Sequence, residues 1–268
     1  MKKTLSYALL LAGMTSVPAM AHIGYGHRNF GTFDGSTLTS TTLTGQAATG
    51  NWGWIDGTDA DYGNSHRVRP FRFTLTEESN VTLSFKEATG EVTDHRGNVH
   101  TAELGLIPGF SLYQGLASLR PIPLPHDGSD LSVASRPDYA EGSFRAMTDW
   151  SIGNSPGDLN GTVIPARLSF FEYIGHAYDG TGYGSDGTQD NMVSHTFMNL
   201  GAGDYSVFVG GSDYLAQLDS NPDKMTKYGL EGTLTVGVVP EPETYAMLLA
   251  GLGLMGAITR RRIRTGSV

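Results

Sequence analysis

Hydrophobic and polar residues alternate with a period of two along much of this 268-residue chain. Phe71, Phe73 and Leu75 alternate with Arg72 and Thr74, and Val81, Leu83 and Phe85 alternate with Thr82 and Ser84. Successive side chains of a strand point to opposite faces, so each run predicts a half-buried β-strand. Glu77-Glu78-Ser79-Asn80 between them reads as a turn, and the two runs are expected to form a hairpin. Further strands are predicted at Leu104–Ile107, Phe110–Tyr113, Phe144–Trp150, Leu168–Ile174, Val193–Met198, Asp204–Val209 and Tyr228–Val238. In the last of these, Tyr228, Leu230, Leu234, Val236 and Val238 share one face. Between the two chain ends no segment keeps a 3.6-residue period over three turns. Thirty-six glycines, many beside Asp or Asn, supply tight turns. The expected fold is all-β: a single β-sandwich or jelly-roll-like domain. Its long loops are expected at Gly45–Asn64, Pro121–Ala140 and Asp179–Asn191, and no repeat of fixed period stands out.

The chain ends follow a different pattern. Lys2 and Lys3 precede an apolar stretch from Leu5 to Met14, and Ala19-Met20-Ala21 supplies a small-x-small cleavage site. Residues 1–21 therefore read as a signal peptide for the export machinery and signal peptidase, with His22 opening the mature chain. The alternative, an uncleaved anchor, requires a longer apolar stretch. The exported domain covers residues 22–238. At the other end Pro240-Glu241-Pro242 is followed by the apolar run Thr244–Ile258 and then by Arg260, Arg261, Arg262 and Arg264. Proline fixes φ and restricts the preceding residue, so the two prolines separate a strand from a following helix. The 15-residue run is short of the ~20 residues of a full span, yet tilt, local thinning and snorkelling arginines bring it within reach of the bilayer. Positive charge stays cytoplasmic, which leaves the body of the chain outside.

Pro-Glu-Pro, a short hydrophobic helix and terminal arginines, in that order, resemble the PEP-CTERM sorting domain of exosortase substrates in Gram-negative bacteria. The resemblance covers residues 239–268. It implies recognition by a membrane-embedded exosortase, processing near Pro240-Glu241-Pro242, and attachment at or release from the cell surface. Proteins of this kind are linked with exopolysaccharide and biofilm. Trp150–Asn154, Tyr173–Ala177 and Gly203–Tyr214 also resemble blocks found in such proteins. Phe71–Phe85 and Asp204–Val209 resemble strands of bacterial sandwich domains of the pre-peptidase C-terminal type.

Composition narrows the chemistry. Formal charge is −9 from 18 Lys and Arg against 27 Asp and Glu. Without Lys2, Lys3 and the four terminal arginines, 12 basic residues face 27 acidic ones, a balance of −15. Nucleic acid, which wants clustered Lys and Arg, is not an expected partner. The absence of cysteine excludes disulfides, thiol catalysis and thiolate metal sites. No Gly-x-Ser-x-Gly elbow, His-Glu-x-x-His or phosphate-binding loop is present, and no enzymatic activity is expected. Glu87, Glu91, Glu103, Glu141 and Glu172 contain possible carboxylate pairs, but their sequence positions fix no spacing suited to glycoside hydrolysis.

Binding chemistry has three candidates. His22, as a mature terminus, offers an α-amine and an imidazole to copper, with His27, His66, His95, His100, His126, His176 and His195 as possible partners. Asp56, Asp59 and Asp61, and separately Asp179, Asp186 and Asp190, lie in Gly-rich loops whose oxygens suit calcium. Neither set has EF-hand spacing, and aspartate beside glycine also serves plain turns. Trp52 and Trp54, two apart, would face one side of an extended segment and could stack on polysaccharide; packing in a core is the other reading. Trp150 reads as core.

Overall fold

The structure, a computed structural model, describes residues 24–55, 62–94, 97–117, 144–154, 157–159, 162–164, 167–217, 220–239, 249–252 and 254–255. Sixteen strands are present among them. They are β1 (Asn29–Phe33), β2 (Thr39–Thr49), β3 (Tyr62–Gly63), β4 (Arg69–Leu75), β5 (Ser79–Ala88), β6 (Glu91–Thr93), β7 (Val99–Thr101) and β8 (Pro108–Gln114). There follow β9 (Phe144–Arg145), β10 (Trp150–Asn154), β11 (Gly157–Leu159), β12 (Thr162–Ile164), β13 (Arg167–Tyr178), β14 (Met192–Leu200), β15 (Gly203–Gly211) and β16 (Lys227–Val238). One six-stranded sheet has the order β1-β4-β15-β8-β13-β10, and the other β14-β5-β16-β2-β6-β7. The expected two-sheet β-sandwich is therefore the fold.

The two predicted runs at Phe71–Leu75 and Val81–Phe85 do not form a hairpin. β4 belongs to the first sheet and β5 to the second, so residues 76–78 carry the chain across the core. The alternation holds, but its apolar faces meet across the sandwich instead of side by side. Phe71 and Phe85 contact edge-on with ring centroids 5.2 Å apart, and Phe85 lies 5.2 Å from Phe110. Leu83, Leu234, Val236 and Val207 complete this first core.

The first sheet is covered on its outer side as well. Trp54, Tyr113, Phe144, Trp150, Phe171 and Phe208 form a second, aromatic core there. Trp150 stacks on Phe171 at 5.1 Å, and Tyr113 meets Phe208 edge-on at 5.7 Å. Hence β8 and β15 are buried on both faces. On β15, Tyr205, Val207 and Val209 serve the first core while Phe208 serves the second.

The outer face of the second sheet is a field of hydroxyls. Ser40 pairs with Thr235 at 3.1 Å, Thr42 with Thr233 at 2.9 Å, and Thr82 with Thr196 at 2.8 Å. Such cross-strand pairs suit a solvated pleated surface. They also explain β2, a Thr-rich strand that hydropathy alone does not reveal; it extends to Thr49, so the expected loop begins at Gly50, not Gly45. Leu104–Ile107 is not a strand. The backbone amides of its last three residues are satisfied by side chains: the Glu87 carboxylate accepts from Gly105 and Leu106, and Asn51 Oδ1 accepts from Ile107 at 2.8 Å. The Phe144–Trp150 run divides into β9 and the start of β10.

Loop Pro121–Ala140 lies outside the described residues. At the C-terminal side, residues 249–252 and 254–255 are helical. Among the described residues no helix is long and apolar enough to cross a membrane.

Candidate functional site

The sorting segment leaves the body from the end of β16, a central strand. β16 pairs antiparallel with β5 as far as Val238 opposite Ser79, and with β2 as far as Val236 opposite Thr39. Three connections gather at this same end, and each passes from one sheet to the other: residues 34–38 between β1 and β2, 76–78 between β4 and β5, and 201–202 between β14 and β15. They are stitched together. Asn80 Oδ1 accepts from the Asn199 backbone N–H at 2.9 Å, while Asn80 Nδ2 donates to the Val238 carbonyl at 3.3 Å. Thr76 N–H donates to the Phe33 carbonyl at 2.9 Å.

Gly35 makes the close approach of two of these turns possible. Its φ is +66°, and a Cβ there would lie 2.2 Å from Ser79 Oγ. A side chain is thus excluded by both conformation and space. Asp34 holds the same turn by accepting from Ser36 N–H at 3.0 Å and Ser36 Oγ at 2.8 Å. These hydrogen bonds hold its carboxyl below the ordinary range. Beside the turn runs a shallow cleft of about 370 Å³ bordered by Thr32, Phe33, Gly35 and Thr76. Leu38 and Val238 project beside the exit, 76% and 49% exposed.

The structure corrects the candidate sugar platform at Trp52 and Trp54 in favour of the packing reading. Trp54 is 0% and Trp52 4% exposed, so neither indole face is available for stacking on a polysaccharide. Residues 51–54 lie flat on the first sheet because neighbouring strands present glycines there. Gly109 of β8 is paired with Gly210 of β15, and a Cβ on Gly109 would stand 2.4 Å from the Trp54 ring. A Cβ on Gly211 would stand 2.0 Å from the Asn51 backbone. Trp54 N–H donates to the Gly211 carbonyl at 3.0 Å, and its indole Nε1 donates to Ser111 Oγ at 2.8 Å. Trp52 donates from Nε1 to the Lys224 carbonyl at 3.1 Å, with the Arg67 guanidinium 4.9 Å from its ring. Trp150, at 4% exposed, is core.

The second aspartate set is corrected too. Asp179 is buried, and its two carboxylate oxygens accept backbone N–H groups from Asp190 and Asn191, each at 2.9 Å. Burial raises its pKa, and those two hydrogen bonds pull the other way. The group closes the loop between β13 and β14 instead of joining Asp186 and Asp190 around calcium. Among the described residues no group of three or more His, Asp or Glu could hold a metal ion. Of the histidines, His176 meets the Tyr173 hydroxyl through Nδ1, His100 meets Asp94 at 3.0 Å, and His195 packs against Phe197.

His22, Asp56, Asp59 and Asp61 lie outside the described residues. So do Ala19 and Ala21 of the cleavage site, and Pro240, Glu241, Pro242, Arg260, Arg261 and Arg262 of the sorting motif. Asn80 was not singled out by the sequence. Its only signal is its place in the Glu77–Asn80 turn before an alternating run. Tyr25 was also missed: its hydroxyl meets Ser206 Oγ at 2.6 Å and accepts from Ala117 N–H at 2.9 Å.

Residues 238–262 match the family model of the PEP-CTERM protein-sorting motif. The motif begins on the last residue of β16, so this β-sandwich carries the sorting signal directly at its exit strand. Among curated proteins nothing matches the chain. Among solved structures, CorA, a surface-associated copper-binding protein important in copper acquisition by Methylomicrobium album BG8, is similar over 77% of this chain and 97% of its own. The identity is 14% and the TM-score 0.42. MopE, a secreted protein of Methylococcus capsulatus in which an oxidised tryptophan facilitates copper binding, is similar over 79% of this chain and 87% of its own. Its identity is 14% and its TM-score 0.35.

Proposed function

We propose that this chain is a non-enzymatic exported β-sandwich which an exosortase processes at Pro240-Glu241-Pro242 and delivers to the cell surface or the exopolysaccharide matrix. The observation that carries the reading is the sorting motif at residues 238–262, set directly behind the final strand of a folded body. The signal-peptide pattern at residues 1–21 and the acidic, cysteine-free composition support the same destination. Before processing, the apolar run holds the chain at the membrane. After it, the sandwich is the delivered part. Intact mass of the protein recovered outside the cell tests this directly. A mature species beginning at His22 and ending near Pro242 is expected, and replacing Pro240, Glu241 and Pro242 with alanine should leave the chain in the membrane fraction. An exterior species that retains Arg260–Arg262 would refute it.

A second reading, extracellular metal binding, is favoured by the placement of His22 directly after Ala19-Met20-Ala21. Cleavage there creates an amine and an imidazole on one residue, a chelating pair suited to copper. Addition of copper to the processed protein should then produce a one-equivalent spectroscopic signal, lost on His22→Ala. An unchanged signal in that variant would dismiss the site.

A further inference from the structure

The exit end of the sandwich is held close to whatever reads the sorting motif. β16 is bonded on both flanks and Asn80 clamps the Val238 carbonyl, so the body stays firm up to the motif. Only residues 239–243 separate it from the apolar run. At ~3.3–3.6 Å per extended residue, that tether spans at most about 20 Å. A membrane-embedded protease cutting within it must therefore come close to the turns at residues 34–38, 76–78 and 201–202.

Those turns have a consistent chemistry. Asp34, Glu77 and Glu78 are exposed, and neither Lys nor Arg occurs in residues 29–39, 76–80, 199–203 or 236–239. Exposed Leu38 and Val238 supply apolar contact beside the cleft at Thr32, Gly35 and Thr76. An anionic lipid surface would repel such an end. A protein rim carrying basic residues would attract it.

Resting on the exosortase reading above, we propose that this turn-bearing end is a docking surface for the exosortase, which contacts the folded body as well as the Pro-Glu-Pro segment. The enzyme's exterior rim is then basic around an apolar patch, and it receives the body in one orientation. Glu77 and Glu78 are the charges to test, since Asp34 also holds its own turn.

The test is a pulse-chase of full-length chains in cells carrying the exosortase, reading the processed fraction by mass, with protease resistance of the body as the folding check. Glu77→Lys/Glu78→Lys should be processed about tenfold more slowly than the parent, the effect of turning rim attraction into repulsion. Glu77→Gln/Glu78→Gln should fall between them. Glu91→Lys/Glu103→Lys, the same charge change at the far end, should match the parent. Equal rates for the parent and the Glu77→Lys/Glu78→Lys chain would overturn the docking surface. Processing of the Pro240→Ala/Glu241→Ala/Pro242→Ala chain at the parental rate would instead overturn the exosortase reading beneath it.

Discussion

Trp54→Ala separates a packing role from a binding role in a single measurement. The indole is fully buried on the Gly109–Gly210 bed and donates to Ser111 Oγ at 2.8 Å. Truncating a buried Trp to Ala costs about 3–5 kcal/mol through lost transfer energy and the cavity left behind. The lost hydrogen bond lies within that range, because Ser111 Oγ keeps its own acceptor, the Ala146 carbonyl at 2.5 Å. For a domain of this size, each kcal/mol lowers the melting temperature by roughly 2–4 °C. A fall of about 12 °C is expected, on a total stability of roughly 5–15 kcal/mol. Circular dichroism melting of the processed protein reads it, and Trp54→Phe should recover part of the loss by refilling the space. Gly109→Ala should imitate Trp54→Ala, because its new methyl would occupy the ring's position. An unchanged melting temperature for Trp54→Ala, combined with weaker retention on immobilised polysaccharide, would refute the buried placement and restore the sugar platform.

Three further outcomes follow from the same geometry. Asn80→Ala should cost about 1–2 kcal/mol by removing two part-exposed hydrogen bonds, and should speed amide exchange at Asn199 before the rest of β14. Asp179→Ala should cost about 1–3 kcal/mol and expose residues 180–191 to proteolysis, with added calcium restoring nothing. Alkaline stability depends on tyrosine: burial raises the hydroxyl pKa of Tyr25, Tyr205 and Tyr228 above the ordinary 10.0. Their contribution is intact below pH 10 and is lost as pH rises through the folded values, since the unfolded chain releases those protons first. Arg69 opposes them. Burial, and then neighbouring Arg28, push its pKa down to about 10, so its contribution improves as pH rises above that value. Tyr228→Phe should therefore move the alkaline unfolding midpoint upward, as read by circular dichroism against pH.

How much of this was legible depended on whether each strand had one wet face. β5 and β16 alternate because their sheet is solvated on one side, and both were readable from Val81–Phe85 and Tyr228–Val238. β8 and β15 are buried twice, so Phe110-Ser111-Leu112-Tyr113 and Val207-Phe208-Val209 show no alternation that would assign their faces. The β4–β5 connection failed because periodicity reports which side chains share a face, not whether the next strand lies beside or across. Gly109, Gly210 and Gly211 were visible as glycines, but their purpose required the approach of residues 51–54, which no local pattern encodes. The sorting motif was fully legible, since its parts act in sequence order and need no tertiary contact to be recognised.

The central position of β16 governs when the molecule can become itself. Ser40 and Thr235 are 195 positions apart yet touch, so the second sheet stays open in the middle until the final strand emerges. Non-local closure of this kind is slow. The next residues to appear are those of the sorting motif, so the closing strand and the signal emerge one directly after the other. A polypeptide cut short before β16 would lack both a closed second sheet and the sorting motif.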